Sequence, residues 1–168
     1  GGGWAGRFIW TLDVIGHKKY SYLNGGLYAW LSEGLPVETQ SHHRAKTDVT
    51  LSFNSEPIAE ISDILEGITN NSIQIWDARS PLEYTGQRVN AAKAGHIPGA
   101  INCEWTNLMN NEKGLRIRED AKKILAQLGI KGDLPIITHC QSHHRSGFTY
   151  LVGKHLGFDI KGYHGSWS

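Results

Sequence analysis

Apolar positions along the chain alternate between helical and strand spacing, and the changes of spacing divide it. Over residues 5–15, Phe8, Ile9, Leu12 and Ile15 recur at the interval of an amphipathic helix, with Gly16 as its expected stop. Residues 20–23 read as a short strand, Asn24-Gly25-Gly26 as a turn, and residues 27–33 as a short helix ended by Gly34. Periodicity then disappears, and the polar stretch 34–48 reads as a linker. Within it, His42 and His43 read as an exposed pair rather than as metal ligands.

Beyond the linker, strands and helices alternate. Residues 49–53 read as a first strand, and Ser55-Glu56-Pro57 opens a helix running to about Gly67, with its proline in the first turn. Residues 73–76 form a buried-looking strand ending in Asp77, residues 80–84 a short helix start, and residues 100–103 another short strand. Residues 119–128 spell an amphipathic helix with acids first and Gly129 as its stop. A strand over 135–138 runs into His139 and Cys140, a helix over 147–156 ends at Gly157, and 160–163 is a last strand. Strands alternating with helices predict an α/β fold with a mostly parallel sheet flanked by helices.

Composition narrows the function. The chain has 168 residues, enough for a hydrophobic core. Its formal net charge is +1, which argues against a nucleic-acid-coating protein because such proteins need a basic excess. No apolar run approaches the roughly eighteen residues of a membrane span, and no charged-then-apolar leader is visible. Glycine, at 20 residues, exceeds the typical share of about 7%. The two cysteines, Cys103 and Cys140, form no CxxC pair, which disfavours a zinc ribbon. A cytoplasmic protein with one structural and one reactive thiol is the economical reading.

The two ends of the chain resemble each other. The stretch from Ala5 (AGRFIWTLDVIGHKKYSYLNGGLYAW) and that from Ser146 (SGFTYLVGKHLGFDIKGYHGSW) share a loop, helix, glycine stop, short strand and glycine turn. Gly6 matches Gly147, and Gly16 matches Gly157. A single repeat at this spacing predicts a duplicated domain, with most of the first copy upstream of Gly1. That missing half-domain is expected to pack on residues 5–37.

The chemistry concentrates in ITHCQSHHRSG, from Ile137. A buried strand delivers Cys140, and a short loop enters a helix after Arg145. Ligands of parallel sheets bind beyond the carboxyl ends of strands, and a loop entering a helix aims several backbone N–H groups at a common centre. Such a cradle favours a thiolate on Cys140 and lowers its pKa. The Arg145 guanidinium can grip an oxyanion with paired donors. Cys103 lacks such a setting and reads as packing.

CQSHHRSG, together with WDARSPLEYTG from Trp76, AGHIPGAIN from Ala94 and the closing GSW, resembles the rhodanese family of sulfurtransferases. The chain is most similar to two-domain bacterial rhodaneses of the Azotobacter type. The resemblance implies that 1–38 is the tail of an inactive domain, 39–47 a linker, and 48–168 a catalytic domain. It also implies that Cys140 takes up a sulfane sulfur as a persulfide, with no other cofactor and no metal. The backbone of Gln141, Ser142, His143 and His144 would hold the outer sulfur, and Arg145 would bind the sulfonate end of thiosulfate. Partners are then a small sulfur donor and a thiophilic acceptor, cyanide or a thiol. Asp77 and Arg79 would brace the loop, and His96 would support it. His143 and His144 would tune acceptor choice, or be exposed loop polarity only. Glu83 stands where many members carry arginine, and so adds an anion near the donor site.

Two other readings remain open at this level. Phosphatases and arsenate reductases of the same fold have a loop one residue longer between cysteine and arginine, which is wide enough for a tetrahedral phosphate. A non-catalytic binding module of the same fold is the alternative from another class.

Overall fold

The computed structural model describes residues 1–168. Five short strands make one parallel sheet: β1 (Ile58–Ala59), β2 (Gln74–Asp77), β3 (Ile101–Asn102), and further along the chain a strand at Ile136–His139 and one at Ile160–Tyr163. An antiparallel pair, β4 (Met109–Asn110) and β5 (Arg116–Ile117), lies between them in sequence, so the last two sheet strands are β6 and β7. The sheet order is β1-β7-β6-β2-β3. Isoleucines at 58, 75, 101, 136, 137 and 160 supply the β-branched side chains that suit a pleated, covered surface.

Alternation along β2 and β6 divides the core into two layers. Trp76 and Ile136 join Phe148, Val152, Leu125 and Ile160 on one face, while Ile75 and Ile137 join Ile64, Ala59 and Ala100 on the other. The first face is covered by α6 (Arg145–His155) and the second by α3 (Ile61–Asn70). The chain also forms α1 (Gly2–Val14), α2 (Gly26–Ser32), α4 (Pro81–Tyr84) and α5 (Ala121–Leu128), with one 3-10 turn at Trp105–Leu108.

Helix α1 packs along α6 through a glycine crossing. A Cβ on Gly6 would collide with the Gly147 carbonyl, and one on Gly147 would lie 2.5 Å from the Arg7 nitrogen. Polar side chains seal the far end of this contact. Asp13 accepts hydrogen bonds from Tyr20 (2.7 Å), Tyr150 (2.8 Å) and Lys154 (2.5 Å).

Three expected elements differ. Residues 20–23 form no strand, because no strand lies beside them; Tyr20 and Tyr22 pack on the core instead. Residues 49–53 are irregular and tie to the end of α1, with Ser52 N donating to Ile15 O and Asn54 N to Val14 O. The helix expected from Ser55 begins at Ile61, since Pro57 and β1 are drawn into the sheet edge: Gly162 N donates to Pro57 O at 2.9 Å and β1 pairs with β7. The stops at Gly16, Gly34, Gly129 and Gly157 all have positive φ, as the sequence predicts. No helix is long and apolar enough to cross a membrane.

Candidate active site

β2 continues outward to β3 and β6 continues to β7 on the opposite side, so a crevice opens where β2 and β6 pair. Asp77 and His139 are register partners at the carboxyl edge of that pair. Cys140 follows immediately, at the mouth of the crevice.

The loop from Cys140 to Arg145 curls around its own sulfur. No amide N–H from Gln141 through Ser146 is taken by a backbone carbonyl, so these donors are available to an anion. The amides of Ser142 and Ser146 reach the Cys140 sulfur, and the Ser146 hydroxyl donates to it at 3.4 Å. Burial alone would raise the thiol pKa, but these hydrogen bonds and the Arg145 charge outweigh it and hold Cys140 below its ordinary value. Cys103 goes the other way: burial, then Glu104, pushes its thiol up to about 11. The structure thus separates one activated thiol from one inert thiol.

Arg145 is anchored as well as charged. Its Nη1 and Nη2 donate to Glu83 Oε2 and Oε1 at 2.7 and 2.8 Å, and the guanidinium also reaches the Cys140 sulfur. Glu83 is presented by α4, where Ser80 caps the helix through a reciprocal capping box. Arg145 hydrogen bonding, with Ser80 adding to it against the effect of burial, holds the Glu83 carboxyl well below the usual carboxylate range. Glu83, noted in the sequence only as an added anion, therefore occupies the paired donors that an oxyanion would use.

Asp77 and Arg79 are both buried, with Arg79 Nε and Nη2 donating to the Asp77 carboxylate at 2.7–3.1 Å. Arg79 also donates to Gly95 O and lies 4.6 Å under the Trp167 ring. Trp167 N and Ser168 N in turn donate to the carbonyls of Cys140 and Gln141, so the GSW segment straps the loop down. His96 is exposed, stacks on Tyr84 at 3.7 Å and bonds the Tyr84 carbonyl.

The two loop histidines face away from the cradle. Exposed loop polarity is the wrong description of His143: its side chain is wholly buried, because φ of +58° turns it inward against Trp10 at 4.6 Å. His144 is half-buried beside Trp4 and Trp105. Gln141 Nε2 reaches Asn90 O, and Ser142 is exposed. No group of His, Cys, Asp and Glu side chains is placed to share a metal ion. Sequence reading missed Arg7, whose Nη1 reaches His143 O at 3.4 Å, and Ser146 and Ser166, which contact Cys140. The Gly6–Gly147 match was the one signal that α1 and the loop lie together.

Comparison with known proteins adds three findings. Residues 60–168 match the rhodanese-like domain family. The chain is 55% identical to a thiosulfate sulfurtransferase of Azotobacter vinelandii over 99% of its length, and 52% identical to one of Pseudomonas aeruginosa over 100%; it spans 62% of the length of each. A crystal structure of the 3-mercaptopyruvate sulfotransferase SseA from Escherichia coli superposes with a TM-score of 0.82 at 31% identity, covering 99% of this chain and 62% of that one.

Proposed function

We propose, from the premise that this chain belongs to the rhodanese-like domain family, that it transfers a sulfane sulfur from thiosulfate, or a related donor, to cyanide or a thiol through Cys140. The observation that carries this reading is an activated thiol at the end of β6, with two amides, a hydroxyl and a guanidinium on its sulfur.

The Cys140 thiolate attacks the outer sulfur of thiosulfate. A sulfur–sulfur bond forms, the bond to the sulfonate breaks, and sulfite leaves with the electron pair. The acceptor then attacks the outer sulfur of the persulfide, and cyanide departs as thiocyanate while the thiolate returns. The cycle is a two-step covalent transfer that needs neither metal nor oxidant. Backbone N–H groups of Gln141, Ser142, His143, His144 and Arg145 hold the outer sulfur and its charge, as an oxyanion hole holds oxygen. Arg145, braced by Glu83, supplies positive charge at the rim. Asp77, Arg79 and His96 keep the loop and its surroundings in place. A ring with four residues between Cys140 and Arg145 suits one sulfur atom better than a phosphate.

The same reading includes a cytoplasmic protein, supported by two free buried thiols. It also includes a preceding half-domain packed on residues 5–37, supported by the exposed Phe8, Leu27, Tyr28 and Leu31 along that segment.

Thiosulfate is expected to add about 32 Da, one sulfur atom, to the protein, and cyanide to remove it as thiocyanate. Intact-mass spectrometry reads both steps. A Cys140→Ser variant should stay unmodified; sulfur uptake by that variant, or none by the wild type, overturns the reading.

A further inference from the structure

His143 stands behind the loop, on the far side of Ser146 from the reacting sulfur. Its Nδ1 lies 2.7 Å from Ser146 Oγ, and that oxygen lies 3.4 Å from Cys140 Sγ. We infer that His143 is a positioning residue, whose Nδ1–H holds the Ser146 hydroxyl as a donor to the Cys140 sulfur. The inference rests on the sulfur-transfer reading only for the reaction it serves.

The direction of the chain follows from counting hydrogens. A serine hydroxyl has one hydrogen and two lone pairs. A thiolate or persulfide anion can only accept, so the hydrogen points to sulfur. Ser146 Oγ must then accept from the imidazole, which places the histidine proton on Nδ1. Nε2 is left with a lone pair, and Nε2 is the buried atom without a partner. An unmet acceptor is tolerated more readily in an interior than an unmet N–H, which agrees with this tautomer.

The surroundings keep the ring neutral and still. Burial, then Arg7 and His164, lower the His143 pKa to about 3. The ring is therefore neither a cation nor a base at neutral pH, and orientation is what it contributes. Trp10 packs edge-on against it, and a Cβ on Gly162 would overlap it. Charged and titratable groups around this chain of bonds come from every packed element: Arg7 on α1, Asp77 on β2, His139 on β6, Arg145 on α6 and His164 after β7. None of them bonds the Ser146 hydroxyl, so in this structure only His143 can fix its rotation.

The test is the pH dependence of Cys140 alkylation by iodoacetamide, read by mass spectrometry, with Cys103 as an internal unreactive control. His143→Gln places its amide near Nε2 rather than Nδ1, and Ser146→Ala removes the bridge. Each should move the alkylation midpoint to higher pH and slow the reaction near neutrality by about threefold to tenfold, the effect of one hydrogen bond. The double variant should match Ser146→Ala alone, because both residues act through one hydroxyl. His143→Asn, which puts an amide near Nδ1 and accepts a left-handed backbone, should recover most of the lost rate. An unmoved midpoint in His143→Gln, or additive effects in the double variant, overturns the inference. Nitrogen-15 NMR of the wild-type imidazole needs no variant: protonation on Nδ1 supports the inference and protonation on Nε2 refutes it. Wild-type protein with the expected tautomer and midpoints that takes no sulfur from thiosulfate would support the hydrogen-bond chain and overturn the transfer reading.

Discussion

Glu83 shows how one side chain, distant in sequence, can set the charge at the proposed donor site. It accepts both terminal nitrogens of Arg145 and is further held by Ser80 and Asn90. In the proposed transfer, an anionic donor would meet a cation that already has a partner. Glu83→Gln keeps the shape and a hydrogen bond but releases the charge. The Michaelis constant for thiosulfate should fall by about threefold to tenfold, the scale of roughly 1 kcal/mol of charge freed at a partly open site. Steady-state kinetics at low salt measures it, and an unchanged constant would mean that Arg145 does not meet the donor. The candidate loop was readable in the sequence, because Cys140, Arg145 and the residues between them are contiguous. The pairing of Glu83 with Arg145 was not, because 62 residues separate them.

At the scale of elements, helix stops and strand cores followed from local physics. Glycines that take positive φ end four elements where the periodicity ends, and runs such as Ile136-Ile137 make strands in a parallel sheet whose two faces are covered by helices. Residues 20–23 and 49–53 show the limit: each has strand-like side chains and no neighbouring strand to bond. Helix α1 lies on α6 and touches both loop histidines through Trp4 and Trp10, contacts that its own sequence does not predict. Gly6→Ala should force α1 off the Gly147 backbone. Such overpacking costs about 1–3 kcal/mol, visible as an earlier denaturant midpoint. It should also lower kcat, because Gly147 is only two residues past Arg145. A stable variant with reduced kcat would still fit; full activity together with full stability would not.

For the molecule as a whole, acid should be destabilising well above the ordinary carboxylate range. The folded state holds His143 neutral down to about pH 3, and burial likewise lowers the pKa of His139. The unfolded chain binds protons at such sites below about pH 6.5. Stability is then fully present above that pH and is lost as pH falls toward the folded values, by up to about 1.4 kcal/mol per pH unit for each histidine. Glu83, whose folded pKa is depressed, adds a loss with the same sign below about pH 4. Denaturant melts between pH 7.5 and 4 should show the decline, and His143→Asn should flatten part of it between about 6.5 and 5. A wild-type profile flat across that interval would refute neutral burial of the histidines.

What the amino-acid order determined by itself is local. It set the alternation of strands and helices, the glycine stops, and a cysteine and arginine held close by a short loop, since each depends on neighbours within a few bonds. What only the tertiary structure decided is which distant groups meet: Glu83 with Arg145, α1 with α6, and His143 turned inward behind Ser146. Those contacts join residues far apart along the chain, and their energies exist only once the sheet and its covering helices have brought the backbones together.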